Sequence, residues 1–252
     1  GTLGFRVQRY GMLQWGDLFT ARQKVGLKKF LLLIHALVET KFIKELFALS
    51  LGRISDQMSG LVRWLPTIEA VASTFGRQAL PIVWDFCEII PVGNESANFG
   101  GALEWVAKVI ESQSRAIKIT GQCEQADASA IPIPDQSALL FFTDPPYYDA
   151  IPYSDLSDYF FTWFKRLLPN HPFLRDPYDA RNPLTPKTAE AVQDETRHYN
   201  GRPKDRIFFE DSMSRSFTEG RRVLSENGIG SVVFAHKTTE GWEALLTGMI
   251  RG

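Results

Sequence analysis

The sequence predicts an α/β protein in which a helical N-terminal region, residues 1–67, leads into an α/β domain at 68–252 built on an open sheet with crossover helices. Three observations carry that expectation. Apolar residues up to position 50 recur at near-helical spacing, whereas 137–143 and 229–235 are short apolar runs of strand length. The later order of elements is strand, loop, strand, helix, long insert, helix, strand, helix, the pattern of the second half of an open α/β sheet.

Residues 1–14 read as short pieces compatible with extended chain, and Thr20 is placed to cap a helix running toward Leu49. The run 25–50 makes one or two packed helices. Helical character continues over 53–65 until Pro66 interrupts it. The stretch 68–80 has the spacing of another amphipathic helix, stopped at Pro81, and 82–90 suits either strand or helix, with helix preferred. A turn-rich patch at 91–101 precedes a helix at 102–113. Alternation predicts a strand at 116–120, and a compact apolar run predicts a buried strand at 137–143. An aromatic helix at 153–168 should turn Asp155 and Asp158 away from its apolar stripe. A polar insertion at 169–205 follows, then a helix at 209–224, a turn at Asn227-Gly228, a strand at 229–235 and a closing helix at 239–249.

The chain has 28 lysines and arginines against 29 aspartates and glutamates, so its charge of -1 does not by itself announce a nucleic-acid partner. Any such contact needs a local patch, for which Arg175, Arg181, Lys187, Arg197, Arg202, Lys204 and Arg206 are candidates. An ordinary solvated loop explains them equally well. Cys87 and Cys123 form no metal-ligand spacing and no disulfide framework, so no metal is expected and a reducing, cytoplasmic setting is consistent. The longest apolar stretch, 30–38, is far short of the roughly 20 residues that span a bilayer, so no membrane partner is expected.

The chemistry concentrates at Asp144-Pro145-Pro146-Tyr147. Two prolines in succession supply no N–H donor and fix φ, so the chain must leave the sheet there. The rigid corner holds carbonyls in set directions, and Tyr147 and Tyr148 add flat faces suited to stacking on a base. Such a corner offers two acceptors to an exocyclic amine and stabilises positive charge developing on its nitrogen. The structural alternative is a turn after a buried strand.

Asp144-Pro145-Pro146-Tyr147 resembles the catalytic motif of amino methyltransferases that act on adenine N6 or cytosine N4 of DNA. The longer stretch at 143–166 is similar to bacterial and archaeal adenine-specific DNA methylases that carry an N-terminal domain of unknown function. Segments at 10–23, 73–88 and 232–246 share the likeness. The resemblance implies a Rossmann-like S-adenosylmethionine-dependent methyltransferase sheet, present in part, and DNA as partner with its target base flipped into the pocket. It implies that Asp144 and Pro145 receive the amine, that Pro146 completes the corner and that Tyr147 stacks on the base. Asp127 would approach the cofactor adenine, although Ala126 replaces the usual glycine before it. Phe19 and Thr20 resemble part of a phenylalanine-threonine-proline motif near the cofactor, with Ala21 in place of the proline.

The glycine-rich cofactor loop of such enzymes has one formal counterpart, Asn98-Phe99-Gly100-Gly101, which equally reads as the turn that starts the next helix. The loop is expected upstream, so the chain reads as the catalytic-motif portion of a longer methylase, with the remaining upstream part as a partner. His236 and Lys237 follow an apolar strand and are candidate base or phosphate contacts, or else solvent-facing strand-end residues. Trp84 and Asp85 suit a structural hydrogen bond, and His35 a semi-buried core position. The leading expectation is transfer of a methyl group to adenine N6 in DNA. Alternatives are an RNA or cytosine-N4 amino methyltransferase, or a non-catalytic nucleic-acid-binding module of the same fold.

Overall fold

The computed structural model of the chain describes residues 7–76, 79–95 and 97–252. It has mixed α/β architecture with a small parallel sheet. The chain forms two compact units, Gly1–Gly121 with Ser154–Thr185, and Gln122–Tyr153 with Pro186–Gly252. This division differs from a boundary at 67/68, because the unit that begins the chain also recruits a helix from its middle.

The first unit is built on α1 (Ala21–Leu37), α2 (Lys41–Asp56), a two-residue hairpin of β1 (Trp64–Leu65) and β2 (Ala70–Val71), α3 (Phe99–Ala116) and nearly all of α4 (Tyr153–Leu167). Thr20 caps α1 as its sequence suggests. Its hydroxyl accepts from the Gln23 N–H at 3.3 Å, while the Gln23 side chain accepts from the Thr20 N–H at 2.8 Å. Spacing of three and four residues turns Leu27, Leu31 and Ile34 of α1 and Leu51 and Ile54 of α2 into one core. Tyr159 of α4 lies in that core without solvent exposure, touches the rings of Trp15, Phe19, Phe75 and Phe160, and donates its hydroxyl proton to the Ser55 carbonyl at 2.6 Å.

Five sequence expectations fail in this unit. The helix expected at 53–65 stops at Asp56, and Trp64 and Leu65 pair instead with Val71 and Ala70. The described residues of the stretch 68–80 are not helical. Glu69 takes a φ of +47°, and Thr74 is pulled back to the end of α2, its N–H and hydroxyl both donating to the Asp56 carbonyl. Arg77 and Gln78, within that stretch, lie outside the described residues. Residues 82–90 are neither strand nor helix, and 116–120 finds no strand partner. Asp158 faces inward at 2% exposure and accepts from both the N–H and the hydroxyl of Thr185, so a carboxylate on an apolar stripe is accommodated by two donors from a later loop.

Burial raises the pKa of Asp56, against hydrogen bonds from Ser73, Phe75 and Thr74 and the charge of Arg53. A folded value above the unfolded one means that the folded chain holds the proton more tightly. The resulting stability is fully present below the ordinary carboxylate pKa and is lost as pH rises through the raised value. Asp56→Asn keeps an acceptor for Thr74 but cannot titrate. Urea unfolding over a pH series is expected to show a flatter midpoint across that interval in the variant, and an unchanged slope would remove Asp56 as the cause.

The second unit contains β3 (Ala138–Thr143), the hairpin β4 (Asp194–Tyr199) and β5 (Arg202–Lys204), α5 (Arg206–Val223), β6 (Leu224–Val232) and α6 (Thr239–Arg251). Strands β3 and β6 pair in parallel, with Leu140 opposite Ile229 and Thr143 opposite Val232. While β3 advances from Ala138 to Leu140, β6 advances from Leu224 to Ile229, and the expected Asn227-Gly228 turn falls inside that irregularity. One face of the pair is covered: Phe141 meets Phe217 of α5, and Phe209, Met213 and Phe217 pack with Ala244 and Leu245 of α6. The other face is not, since Leu140, Phe142 and Ile229 are 59%, 63% and 67% exposed. The expectation of a fully buried strand is corrected to a half-covered one. Within the polar insertion, Asn200 and Gly201 both have positive φ and close the β4–β5 hairpin, a turn that the Asn-Gly pair itself signals.

Candidate functional site

The motif leaves the sheet where the proline pair requires. Thr143 ends β3 and accepts a backbone bond from Val233 at 2.8 Å, after which pairing stops. The next carbonyls divide into used and unused ones. Pro146 accepts from the Tyr148 N–H at 3.0 Å and Tyr147 from the Ala150 N–H at 2.8 Å. Among the described residues no backbone N–H donates to the carbonyls of Asp144 or Pro145. Asp144 is exposed, Pro145 is buried, and Pro146 and Tyr147 are half-buried.

Tyr147 stands edge-on to Phe234 with ring centroids 5.5 Å apart, which braces its ring beside the corner. A hydrogen bond with the Asp144 carboxylate, aided by burial and by that carboxylate's charge, raises the Tyr147 phenol above its ordinary pKa. The phenol therefore stays protonated and keeps a donor beside Asp144. Tyr153 adds a second phenol, raised chiefly by burial, that accepts a bond from the Tyr147 backbone.

Tyr148 is placed differently from its sequence expectation. A φ of +44° turns it away from Tyr147 and into the core, where it is 3% exposed, lies edge-on to Phe209 and donates its hydroxyl proton to Glu240 at 2.9 Å. Burial and the Glu240 carboxylate push its pKa well up. With its ring buried, Tyr148 has no face open for stacking and anchors the corner, while Tyr147 offers its ring beside Asp144.

His236 also departs from a solvent-facing position. Its side chain is 5% exposed, lies over Phe234 at 6.2 Å between centroids, and brings Nε2 to 3.1 Å from Asp149 Oδ1. The Thr238 N–H points at Nδ1 at 3.3 Å, so Nδ1 accepts and Nε2 carries the hydrogen toward Asp149. The imidazole ties the turn that follows the prolines to the entry of α6. Lys237 is exposed. Asp149, Thr238 and Glu240 complete this brace and were not singled out by sequence. Only the cap signal of Thr238 ahead of Gly241, whose N–H donates to the threonine hydroxyl at 3.3 Å, pointed there.

Gly241 is where the brace is tightest. A β-carbon built there would lie 2.2 Å from His236 Nδ1 and 2.5 Å from its Cγ. Gly241→Ala is expected to displace the imidazole from Asp149 and to abolish the His236 Nε2 hydrogen-bond shift in nitrogen-detected NMR. Retention of that shift would remove the steric argument.

The residues expected at a cofactor are each committed to near neighbours. Thr20 donates its hydroxyl proton to Glu88 at 2.8 Å, and Phe19 is 6% exposed, stacked on Tyr159 and edge-on to Trp163. Both belong to the first unit. Asp127 belongs to the second, where its Oδ1 accepts from the N–H and hydroxyl of Ser129, each at 2.8 Å. The segment after it is fastened to the end of α5. Arg222 donates to the carbonyls of Ile131 and Ile133 and to Asp135, and Glu219 accepts from the Ile131 N–H at 3.0 Å. That anchorage lies at the amino-terminal end of β3, roughly 20 Å along the strand from Asp144 at about 3.3 Å per residue. Phe19 and Thr20 are thus engaged within the first unit and Asp127 within the second. Asn98 caps α3 by accepting from the Gly101 N–H at 2.7 Å, which makes Phe99-Gly100-Gly101 the first helical turn and not a loop after a strand.

Several of the cationic candidates are engaged with near neighbours. Arg181 pairs with Asp179 at 3.1 Å, Arg197 with Asp194 at 3.3 Å and Arg206 with Glu210 at 2.7 Å, while Lys204 is buried and donates to the Lys187 carbonyl at 2.9 Å. His35 Nε2 lies 3.0 Å from the Arg166 carbonyl. No described helix is long and apolar enough to cross a membrane. Compared with known proteins, the chain matches no protein-family model, no curated protein and no solved structure.

Proposed function

We propose that the corner at Asp144-Pro145-Pro146-Tyr147 presents the exocyclic amine of a nucleobase for methylation, with adenine N6 in DNA as substrate and S-adenosylmethionine as methyl donor. One observation carries the reading. An exposed carboxylate at the carboxyl end of a parallel strand pair stands beside two carbonyls free of backbone bonds and a braced tyrosine ring. Ligands of open α/β sheets gather at such strand ends.

The Asp144 carboxylate accepts one N–H of the amine and the Pro145 carbonyl accepts the other. Tyr147 stacks on the base, with Phe234 holding its ring. As the amine nitrogen becomes tetrahedral and positive, Asp144 is the nearest charge that stabilises it and holds the proton the product must lose. The donor supplies an electrophilic methyl group when bound. It rests on the family resemblance alone.

The test is incorporation of labelled methyl groups into DNA by the natural polypeptide that contains this chain, followed by nucleoside analysis. N6-methyladenine supports the reading; N4-methylcytosine or methylated RNA moves the same corner to another amine. No transfer to any nucleic acid, with S-adenosylhomocysteine failing to bind in calorimetry, would leave a non-catalytic module.

A further inference from the structure

We propose that the first unit carries a separate binding site for a small planar aromatic anion, between the start of α1 and the end of α4. A cavity of about 590 Å³ opens there, within the range of ligand pockets. Its walls are apolar and aromatic, with Trp15 and Phe19 from the segment before α1 and Trp163 from α4. Its charged lining is of one sign. Lys24, Lys28 and Arg166 contribute cations, and no aspartate or glutamate lines the cavity.

The cations are placed by helix geometry. Lys24 and Lys28 stand four residues apart and share a face of α1. Both are exposed, and among the described residues neither makes an ion pair. Arg166 is steadied, donating to the Thr162 carbonyl at 2.6 Å with its guanidinium 5.9 Å from the Trp163 ring. A flat apolar body lying against indole rings, with one carboxylate or phosphate reaching the lysines, uses both features at once. A neutral apolar ligand leaves the cations unused. S-adenosylmethionine is mismatched, since its sulfonium and ammonium outnumber its carboxylate against an all-cationic lining. The site is therefore independent of the methyl-transfer reading, although Phe19 contributes to its wall.

Two pairs of probes test the proposal by calorimetry on the intact chain: adenosine 5′-monophosphate against adenosine, and 1-naphthoate against 1-naphthalenemethanol. At least one anion is expected to bind about tenfold more tightly than its uncharged counterpart, the scale of two partly exposed ion pairs. The advantage should shrink as salt rises. The double variant Lys24→Ala, Lys28→Ala, at exposed positions that leave the core intact, is expected to bring the two members of that pair level. Which anion binds distinguishes a nucleotide phosphate from an aromatic carboxylate. Failure of both anions to bind, equal binding of anion and neutral probe, or undiminished binding by a variant with unchanged circular dichroism would each overturn the proposal.

Discussion

Asp144→Ala is expected to lower methyl transfer by roughly 10²–10³-fold, the loss that follows removal of one group aimed at charge developing in a transition state. The side chain is exposed and its one described side-chain partner is Tyr147, so the fold should survive. The loss should fall on kcat with little change in KM for DNA, because the amine nitrogen acquires its charge after binding. Asp144→Asn refines the test. It keeps an acceptor but no charge, so it should recover only part of the activity. Labelled-methyl transfer by the natural polypeptide measures both variants, and wild-type rates for Asp144→Ala would refute the assignment.

The largest effect on stability is expected at Tyr159. Tyr159→Ala empties the centre of the first unit's core, and a buried large aromatic removed in this way costs about 3–5 kcal/mol. Trp15, Phe19, Phe75 and Phe160 each lose a ring contact, and the Ser55 carbonyl loses one of its donors, keeping the Met58 N–H. Tyr159→Phe separates the two contributions. It retains the packing and removes one hydrogen bond from a Ser55 carbonyl that still accepts from the Met58 N–H, for about 0.5–1.5 kcal/mol. Urea unfolding should place the variants in that order, and a midpoint for Tyr159→Ala near that of the wild type would contradict the packing described.

Sequence reasoning recovered the elements whose periodicity agreed with their partners. Alternate burial of α1 and α2, the strand ending at Thr143 and helices α4, α5 and α6 all follow local pattern, because their apolar stripes meet a core. It failed where a tertiary bond overrode local spacing. The stretch 68–80 has helical spacing, but Thr74 is drawn to the Asp56 carbonyl and Glu69 adopts a left-handed φ, two facts invisible in a hydrophobic pattern. The 116–120 run alternates yet joins no strand among the described residues, since alternation specifies a strand only when a neighbour supplies hydrogen bonds.

The site divides in the same way. The strand-end position of Asp144 was legible because two prolines cannot remain in a ladder. The opposite orientations of Tyr147 and Tyr148 were not, because a single positive φ reverses the second ring. The brace of His236 on Asp149 joins residues 87 positions apart and leaves no local mark. In contrast, the Asn200-Gly201 hairpin did have a readable signal, hidden inside a segment whose prolines and charges suggested only an excursion.

The interleaving of the two units has a consequence for biosynthesis. Parallel pairing of β3 with β6 joins segments more than eighty residues apart, with α4 between them belonging to the other unit. As the nascent chain leaves the ribosome, the first unit has all its parts once Thr185 has emerged, whereas β3 waits, unpaired and apolar, until α5 and β6 are translated. The interval exposes a sticky edge to chaperones or to neighbouring nascent chains, so slowed elongation over 186–232 should increase aggregation more than the same delay elsewhere.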